Sequence, residues 1–172
     1  MKSETFQILA GIDFSDSSVC AMYYAMNLAE RLGAILHLAH ITPWNANVAQ
    51  PTDLGLNVPA EFRDALEARK RLERLHAMIS PKINVELHLR IGDPVRGMLD
   101  LARELSPDLM VVGSHGYGAV MRMLMGSVST QLVRNSSVPV LVVPAAGRES
   151  VLNASSAGLG KLDVNSALGV RH

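Results

Sequence analysis

The sequence predicts one α/β domain of the doubly wound kind, with five parallel strands in the order 3-2-1-4-5 and helices on both faces. Three observations lead there. Short apolar runs alternate with amphipathic segments from Phe6 to Val143. Turn and capping residues separate nearly every pair. The 172 residues suffice for one domain with a sizeable core and are too few for two ordinary ones. Strands that alternate with helices are joined by crossovers, which set the strands parallel and lay helices on both sides of the sheet.

The first strand is read at Phe6 to Ile12. Ser17 to Leu32 follows as a helix with Val19, Met22, Ala25, Met26, Ala29 and Leu32 on one face, and Ser15, Asp16 or Ser17 can cap it. Ile35 to Ile41 is the second strand. Thr42 to Pro59 reads as a loop, with three prolines, Asn45, Asn47 and Gly55. A charged helix covers about Ala60 to Ile79. In the third strand, Ile83 to Ile91, apolar Val85, Leu87, Leu89 and Ile91 alternate with Glu86, His88 and Arg90, the pattern of a strand near a sheet edge. Asp93 and Pro94 then open a helix, the Asp as cap and the Pro in the first turn. Pro107 to Val112 runs into the fourth strand, a helix begins at Gly126, and Val138 to Val143 is the fifth strand.

Composition narrows the function. Sixteen basic and sixteen acidic residues give zero formal charge, so the basic footprint that nucleic-acid binders need is missing. No apolar stretch approaches the length that crosses a bilayer, and Met1 to Gln7 lacks the apolar region of a secretion signal. A cytoplasmic protein is expected, with neither nucleic acid nor membrane as partner. Cys20 is the single cysteine, which excludes an internal disulfide and a thiolate metal cluster; a small buried hydrophobe is its expected role. The histidines at 37, 40, 76, 88, 115 and 172 form no metal-ligand pair along one helix, so no metal site is expected.

The segment from Val111 to Val128 carries the most chemistry. Gly113 ends an apolar run, Gly116 follows after two residues, and Gly126-Ser127 after nine more. Glycines between a strand and a helix N-terminus let backbone N–H groups approach a polyphosphate, because without a Cβ each can take positive φ and leave its N–H bare to the anion, and the helix dipole favours the anion. The plain alternative is a flexible strand-to-helix loop with a glycine cap. Neither the Walker A lysine nor the Gly-x-Gly-x-x-Gly of dinucleotide folds is present. In a doubly wound sheet, ligands bind beyond the carboxyl ends of the strands where the order reverses. Asp13, just past the first strand, then faces ribose hydroxyls, or else it caps the first helix or bonds its own loop. Ile41, past the second, walls an adenine or belongs to the core.

These residues together resemble the universal stress protein family. The likeness lies in Ile12-Asp13-Phe14-Ser15, Val111-Val112-Gly113-Ser114-His115-Gly116, Gly126-Ser127-Val128-Ser129 and Val138-Pro139-Val140-Leu141-Val142-Val143, across residues 4 to 144. The resemblance implies a Rossmann-like or flavodoxin-like domain of the ATP-binding branch, marked by Gly-x2-Gly-x9-Gly-Ser. It implies that Gly113, Gly116, Gly126, Ser127 and Val128 hold phosphates, Asp13 the ribose, and Ile12, Ile41 and Val112 the adenine, with Mg²⁺ or Mn²⁺ bound through the phosphates. It further implies a stress-response homodimer paired through strand 138–143, with unidentified protein partners. Slow ATP hydrolysis is the most activity expected, since the cradle offers only His115, Arg122 and serine hydroxyls.

Two other readings stand beside it. One is an interaction module of the same fold that needs no nucleotide. The other is an adenylylating enzyme, weakened because Asp13-Phe14-Ser15 replaces the Ser-Gly-Gly start of such synthetases. The Met-rich loop 120–125 reads as adaptable packing or a partner surface. The Ala/Gly/Ser-rich residues 145–172 read as a flexible tail outside the 1–144 domain.

Overall fold

Gln7–Gly11 forms strand β1, whose Ile8, Leu9 and Ala10 are fully buried because it lies at the centre of the sheet. The structure is a computed structural model that describes residues 5–44, 50–51, 57–58, 60–115 and 125–144. Helix α1, Asp16–Leu32, starts at Ser15, whose side chain accepts from the Ser18 N–H. It stops at Gly33, in the left-handed region that glycine takes without strain. Strand β2 is Ile35–Thr42, helix α2 Ala60–Ala77, strand β5 Asn84–Ile91 and helix α3 Pro94–Leu105, capped by Asp93 through the Arg96 N–H. Strand β6 is Leu109–Gly113, helix α4 Ser127–Asn135 and strand β7 Val140–Val143.

All neighbouring pairs of the main sheet are parallel, in the order β5-β2-β1-β6-β7, which is the predicted 3-2-1-4-5. The period-two alternation of each strand sends its side chains to two cores. Ile8, Ala10, Leu36 and Leu38 pack with Met22 and Met26 of α1 and Leu72 and Leu75 of α2; buried Cys20 belongs to this layer. Leu9, Ala39 and Ile41 pack on the other face with Met98 and Leu101 of α3 and Leu132 of α4. Burying one such side chain is worth about 1.5–3 kcal/mol, so both layers are needed to hold the central strands.

Three departures from the sequence reading have local causes. The segment read as loop 42–59 contains an antiparallel ribbon, Gln50–Pro51 (β3) against Asn57–Val58 (β4), too short to leave a period-two signature. Leu32, expected on the buried face of α1, is 53% exposed because it is the last residue of the helix, beside the chain reversal at Gly33. Helix α2 ends at Ala77 in tighter turns that bond Met78 to Leu75 and Ile79 to His76. Gly116, most of the Met-rich loop 120–125 and the tail 145–172 lie outside the described residues.

Candidate functional site

Beyond β1 the chain passes to α1 on one face of the sheet, and beyond β6 it passes to α4 on the other. The two strand ends are neighbours whose continuations diverge, which opens a crevice. A cavity of about 550 Å³ lies there, within the usual size for a small-molecule site. Ile12, Asp13, Ile41, Val112, Gly113, Gly126, Ser127 and Val128 all line it. Gly116 falls outside the described residues.

The wall is apolar and fixed. Ile12, Ile41 and Val112 are buried. Ile41 is pinned by Gly97 of α3, where an added Cβ would lie 2.9 Å from the Ile41 Cδ1. Sequence reasoning took Ile41 as wall or core; it serves both, packing into the α3 layer while lining the cavity.

Three helix N-termini reach this crevice; Asp93 caps α3, and those of α1 and α4 are finished differently. At α1 the Ser15 hydroxyl caps the Ser18 N–H, while the Ser17 and Ser15 hydroxyls donate to the His115 carbonyl oxygen. The His115 N–H in turn donates to Ser17 Oγ at 3.2 Å. At α4 the cap is Gly126, which has no side chain to bond the first-turn N–H groups. The loop is tied back so that this end faces the cavity: Gly126 N–H donates to the Ser114 carbonyl at 2.6 Å and the Ser129 hydroxyl to the Gly113 carbonyl at 2.7 Å.

Gly113 and Gly126 act otherwise than by positive φ. Gly126 sits at φ −70° and ψ 163°, open to any residue, and Gly113 lies within β6. What Gly113 provides is room for α1. A Cβ there would come within 2.5 Å of Ser17 Oγ and 2.7 Å of the Ser17 and Ser18 backbone. The non-glycine residue in the left-handed region beside the cavity is Phe14, at φ 64°. Its ring stacks against His40 at 4.8 Å, and the Arg71 guanidinium lies 4.2 Å from its centroid on the opposite side of the sheet from α3.

Asp13 lines the cavity and also orders its own loop. Its Oδ1 accepts from the Ser15 N–H at 3.0 Å and from the Ser15 hydroxyl. The reading in which Asp13 bonds its own loop is what the geometry shows, and these bonds orient the carboxylate at the cavity edge. His40 Nδ1–H donates to the Ile12 carbonyl at 2.6 Å. Burial lowers the His40 pKa, against the raising effects of that hydrogen bond and of Asp13 and with a further lowering by Arg71. Among the described residues the cavity lining contains no Lys or Arg.

Sequence reasoning missed Ser17, Ser18, Ser129 and His40, whose roles depend on contacts between distant segments. It also missed a second cluster. Two of the six scattered histidines, His37 and His88, meet across β2 and β5 beside Glu86. Burial lowers the pKa of both imidazoles, and Glu86 opposes it. The readable signal was Glu86-x-His88, a spacing that places both side chains on one face of a strand.

Comparison with known proteins agrees with this architecture. The family model described as the universal stress protein family matches residues 5–144. The universal stress protein YxiE of Bacillus subtilis is 31% identical over 80% of this chain and 97% of its own length. The structure of the universal stress protein UspA from Lactobacillus plantarum superposes with a TM-score of 0.65 at 26% identity, over 82% of this chain and 99% of that one. A universal stress protein solved in complex with cAMP is also 26% identical, with a TM-score of 0.58 over 83% of this chain and 99% of that one. With the fold, the strand order and the family match in agreement, the chain belongs to the universal stress protein family.

Proposed function

We infer that this chain binds an adenine nucleotide, ATP in the first instance, in the crevice between the ends of β1 and β6. The observation that carries the reading is the Gly126 N-terminus of α4, left without a side-chain cap, facing the same cavity as the oriented carboxylate of Asp13. Phosphate oxygens take the first-turn N–H groups and the Ser127 hydroxyl, where the helix dipole favours negative charge. The ribose hydroxyls donate to Asp13, and Ile12, Ile41 and Val112 form the apolar surroundings of the base. Gly113 contributes by letting α1 close on β6, and Gly116 extends the cradle. The relative solved with cAMP supports an adenine nucleotide as the ligand class.

With no cationic side chain among the described lining residues, the phosphate charge is met by dipoles and by Mg²⁺ or Mn²⁺ carried on the phosphates. In this reading the titratable groups of the crevice are engaged otherwise than with an attacking water: His40 Nδ1 is tied to Ile12, His115 Nδ1 to Ser114 Oγ at 2.8 Å, and Asp13 Oδ1 to Ser15. The protein therefore works as a binding module with slow hydrolysis at most. In this reading the nucleotide-loaded state is what cytoplasmic partners recognise during stress, and two copies pair through β7. That strand is an edge of the sheet and leaves Leu141 partly exposed.

The test is calorimetric titration of the full chain with ATP and AMP in Mg²⁺, together with Gly126→Asp and Asp13→Asn. Aspartate at position 126 caps α4 and places a carboxylate where phosphate sits. ATP affinity is expected to fall at least about tenfold, a loss of about 1.4 kcal/mol, without loss of fold. Absence of ATP and AMP binding by the parent protein would overturn the reading in favour of the nucleotide-independent interaction module. Unchanged affinity in Gly126→Asp would remove the phosphate assignment.

A further inference from the structure

The parallel sheet has a second end. Near the amino-terminal ends of its strands, on the face covered by α3, His37 of β2 meets Glu86 and His88 of the edge strand β5. The register pairs His37 with Glu86 and Ala39 with His88. Glu86 and His88 are two residues apart and so share a face, which brings three ligand-type side chains together from two adjacent strands. His37 is buried, His88 half-buried and Glu86 exposed. The cluster thus has a rigid floor and an open side.

The distances are those of a coordination shell. His37 Nδ1 lies 3.1 Å from His88 Nε2 and 3.4 Å from Glu86 Oε2, and the last two atoms are 4.0 Å apart. A tetrahedral ion with bonds of about 2.0–2.2 Å separates its ligand atoms by about 3.3–3.5 Å. Rotation of the exposed Glu86 carboxylate closes the remaining gap. Behind His37, its Nε2 is 3.0 Å from Gln7 Oε1. That carbonyl oxygen accepts, so the imidazole proton sits on Nε2, and Nδ1 presents a lone pair toward the cluster. A histidine that donates its far N–H to an oxygen and turns its other nitrogen to a shared point has the outer-shell support usual for metal ligands. A single N–H···N bond between the rings accounts for 3.1 Å but leaves the Glu86 oxygen facing the Nδ1 lone pair, acceptor against acceptor. A cation between them removes that conflict.

We propose that His37, Glu86 and His88 form a second binding site, for a divalent transition-metal ion of the zinc type, held by two imidazole nitrogens and one carboxylate oxygen with the fourth position open to water. Two nitrogen donors select against Mg²⁺ and Ca²⁺, which take oxygen shells. The neighbouring Arg90 is paired with Glu104, Nη1 to Oε1 at 3.1 Å, so its charge is balanced close to the site. The site stands at the opposite end of the strands from the crevice and is independent of any ion carried by a nucleotide's phosphates.

The experiment uses the full chain, stripped with chelator and free of nucleotide, titrated with Zn²⁺ by calorimetry and with Co²⁺ by visible absorption. One Zn²⁺ per chain is expected, with the intense cobalt bands of a four-coordinate site. Glu86→Gln and His88→Gln each weaken Zn²⁺ binding at least about tenfold, and Gln7→Met, which touches no metal, weakens it by about tenfold through His37. Melting temperatures in chelator check that the variants fold, and the exposed Glu86→Gln alone carries the test if His88→Gln does not. His115→Gln and His172→Gln leave the binding intact. The proposal is overturned by absence of stoichiometric Zn²⁺ binding, by binding that survives Glu86→Gln and His88→Gln, or by the weak cobalt bands of six-coordinate geometry.

Discussion

Helices α1 and α4 both point their N-termini into the crevice, yet the protein closes one and leaves the other open. At α1, Ser15 caps the helix and the His115 carbonyl sits against Ser15 and Ser17, so the protein supplies the partner that an anion would otherwise provide. At α4, Gly126 brings no side chain, and the first-turn residues Ser127, Val128 and Ser129 line the cavity. The same element at the same level of the fold therefore does two jobs. One start is a clamp that fixes the loop after β6 to the loop after β1, and the other, which has no side-chain cap, is the one the proposed function assigns to phosphate. Gly113 and Gly126, which look alike in the motif, differ along the same line: the first makes room for α1, and the second is the cap of α4 at the cavity.

The largest expected effect breaks the clamp. Gly113→Val places a Cβ 2.5 Å from Ser17 Oγ and 2.7 Å from backbone atoms of Ser17 and Ser18, and a backbone cannot swing aside as a flexible side chain can. The variant is expected to lose about 3 kcal/mol or more of stability, or to fail to fold, measured as the shift in urea midpoint. A stability equal to the parent's would show that α1 does not need this close approach. For the same reason Gly113 substitutions are poor probes of nucleotide binding, whereas the backbone at Gly126, φ −70° and ψ 163°, is one that aspartate adopts without strain.

A smaller effect compares the two caps directly. Ser15→Ala removes the α1 cap and one partner of Asp13 Oδ1, and should cost about 1 kcal/mol. Gly126→Asp adds a cap at α4 and should raise stability by a few tenths of a kcal/mol, following the roughly few-tenths difference between glycine and aspartate caps. Opposite signs in urea unfolding sharpen the contrast between a finished and an unfinished helix start. Loss of stability in Gly126→Asp would mean that the α4 end is already satisfied.

The sequence made the sheet legible because each strand carries its own evidence. β1 and β6 are short, mainly apolar runs, as strands buried on both faces must be; β2 is apolar apart from His37, His40 and Thr42, and β5 alternates because it lies at an edge. Asp13, Ile41 and Gly126 could be placed by the rule that ligands gather at the carboxyl ends of strands. What stayed hidden depends on pairs far apart in sequence. Ser17 meets His115 across ninety-eight positions, and His37 meets His88 across fifty-one. Neither Ser17 nor His37 differs locally from an ordinary helix-start serine or strand histidine. The division of labour between Gly113 and Gly126 was equally illegible, because a missing Cβ says nothing about which neighbour fills the space.

The smallest effect tests how firmly the crevice floor is set. His40 bridges the two sides, donating to the Ile12 carbonyl and stacking on Phe14. Burial lowers its pKa, with the Ile12 hydrogen bond and Asp13 opposing and Arg71 adding to the decrease. Because the folded value lies below the ordinary one, the unfolded chain binds more protons between the two. Stability therefore rises with pH across that window and falls as pH drops from about 6.5 toward the folded value. Other groups titrate nearby, so the useful quantity is a difference: urea unfolding at pH 7.5 and 5.5 in chelator for the parent and for His40→Gln, whose amide still donates to Ile12. The variant should lose less stability on acidification than the parent, by no more than the slope of one proton, about 1.4 kcal/mol per pH unit. Parallel pH profiles would mean that His40 accepts its proton without disturbing the fold, so that the crevice floor tolerates charge on that side.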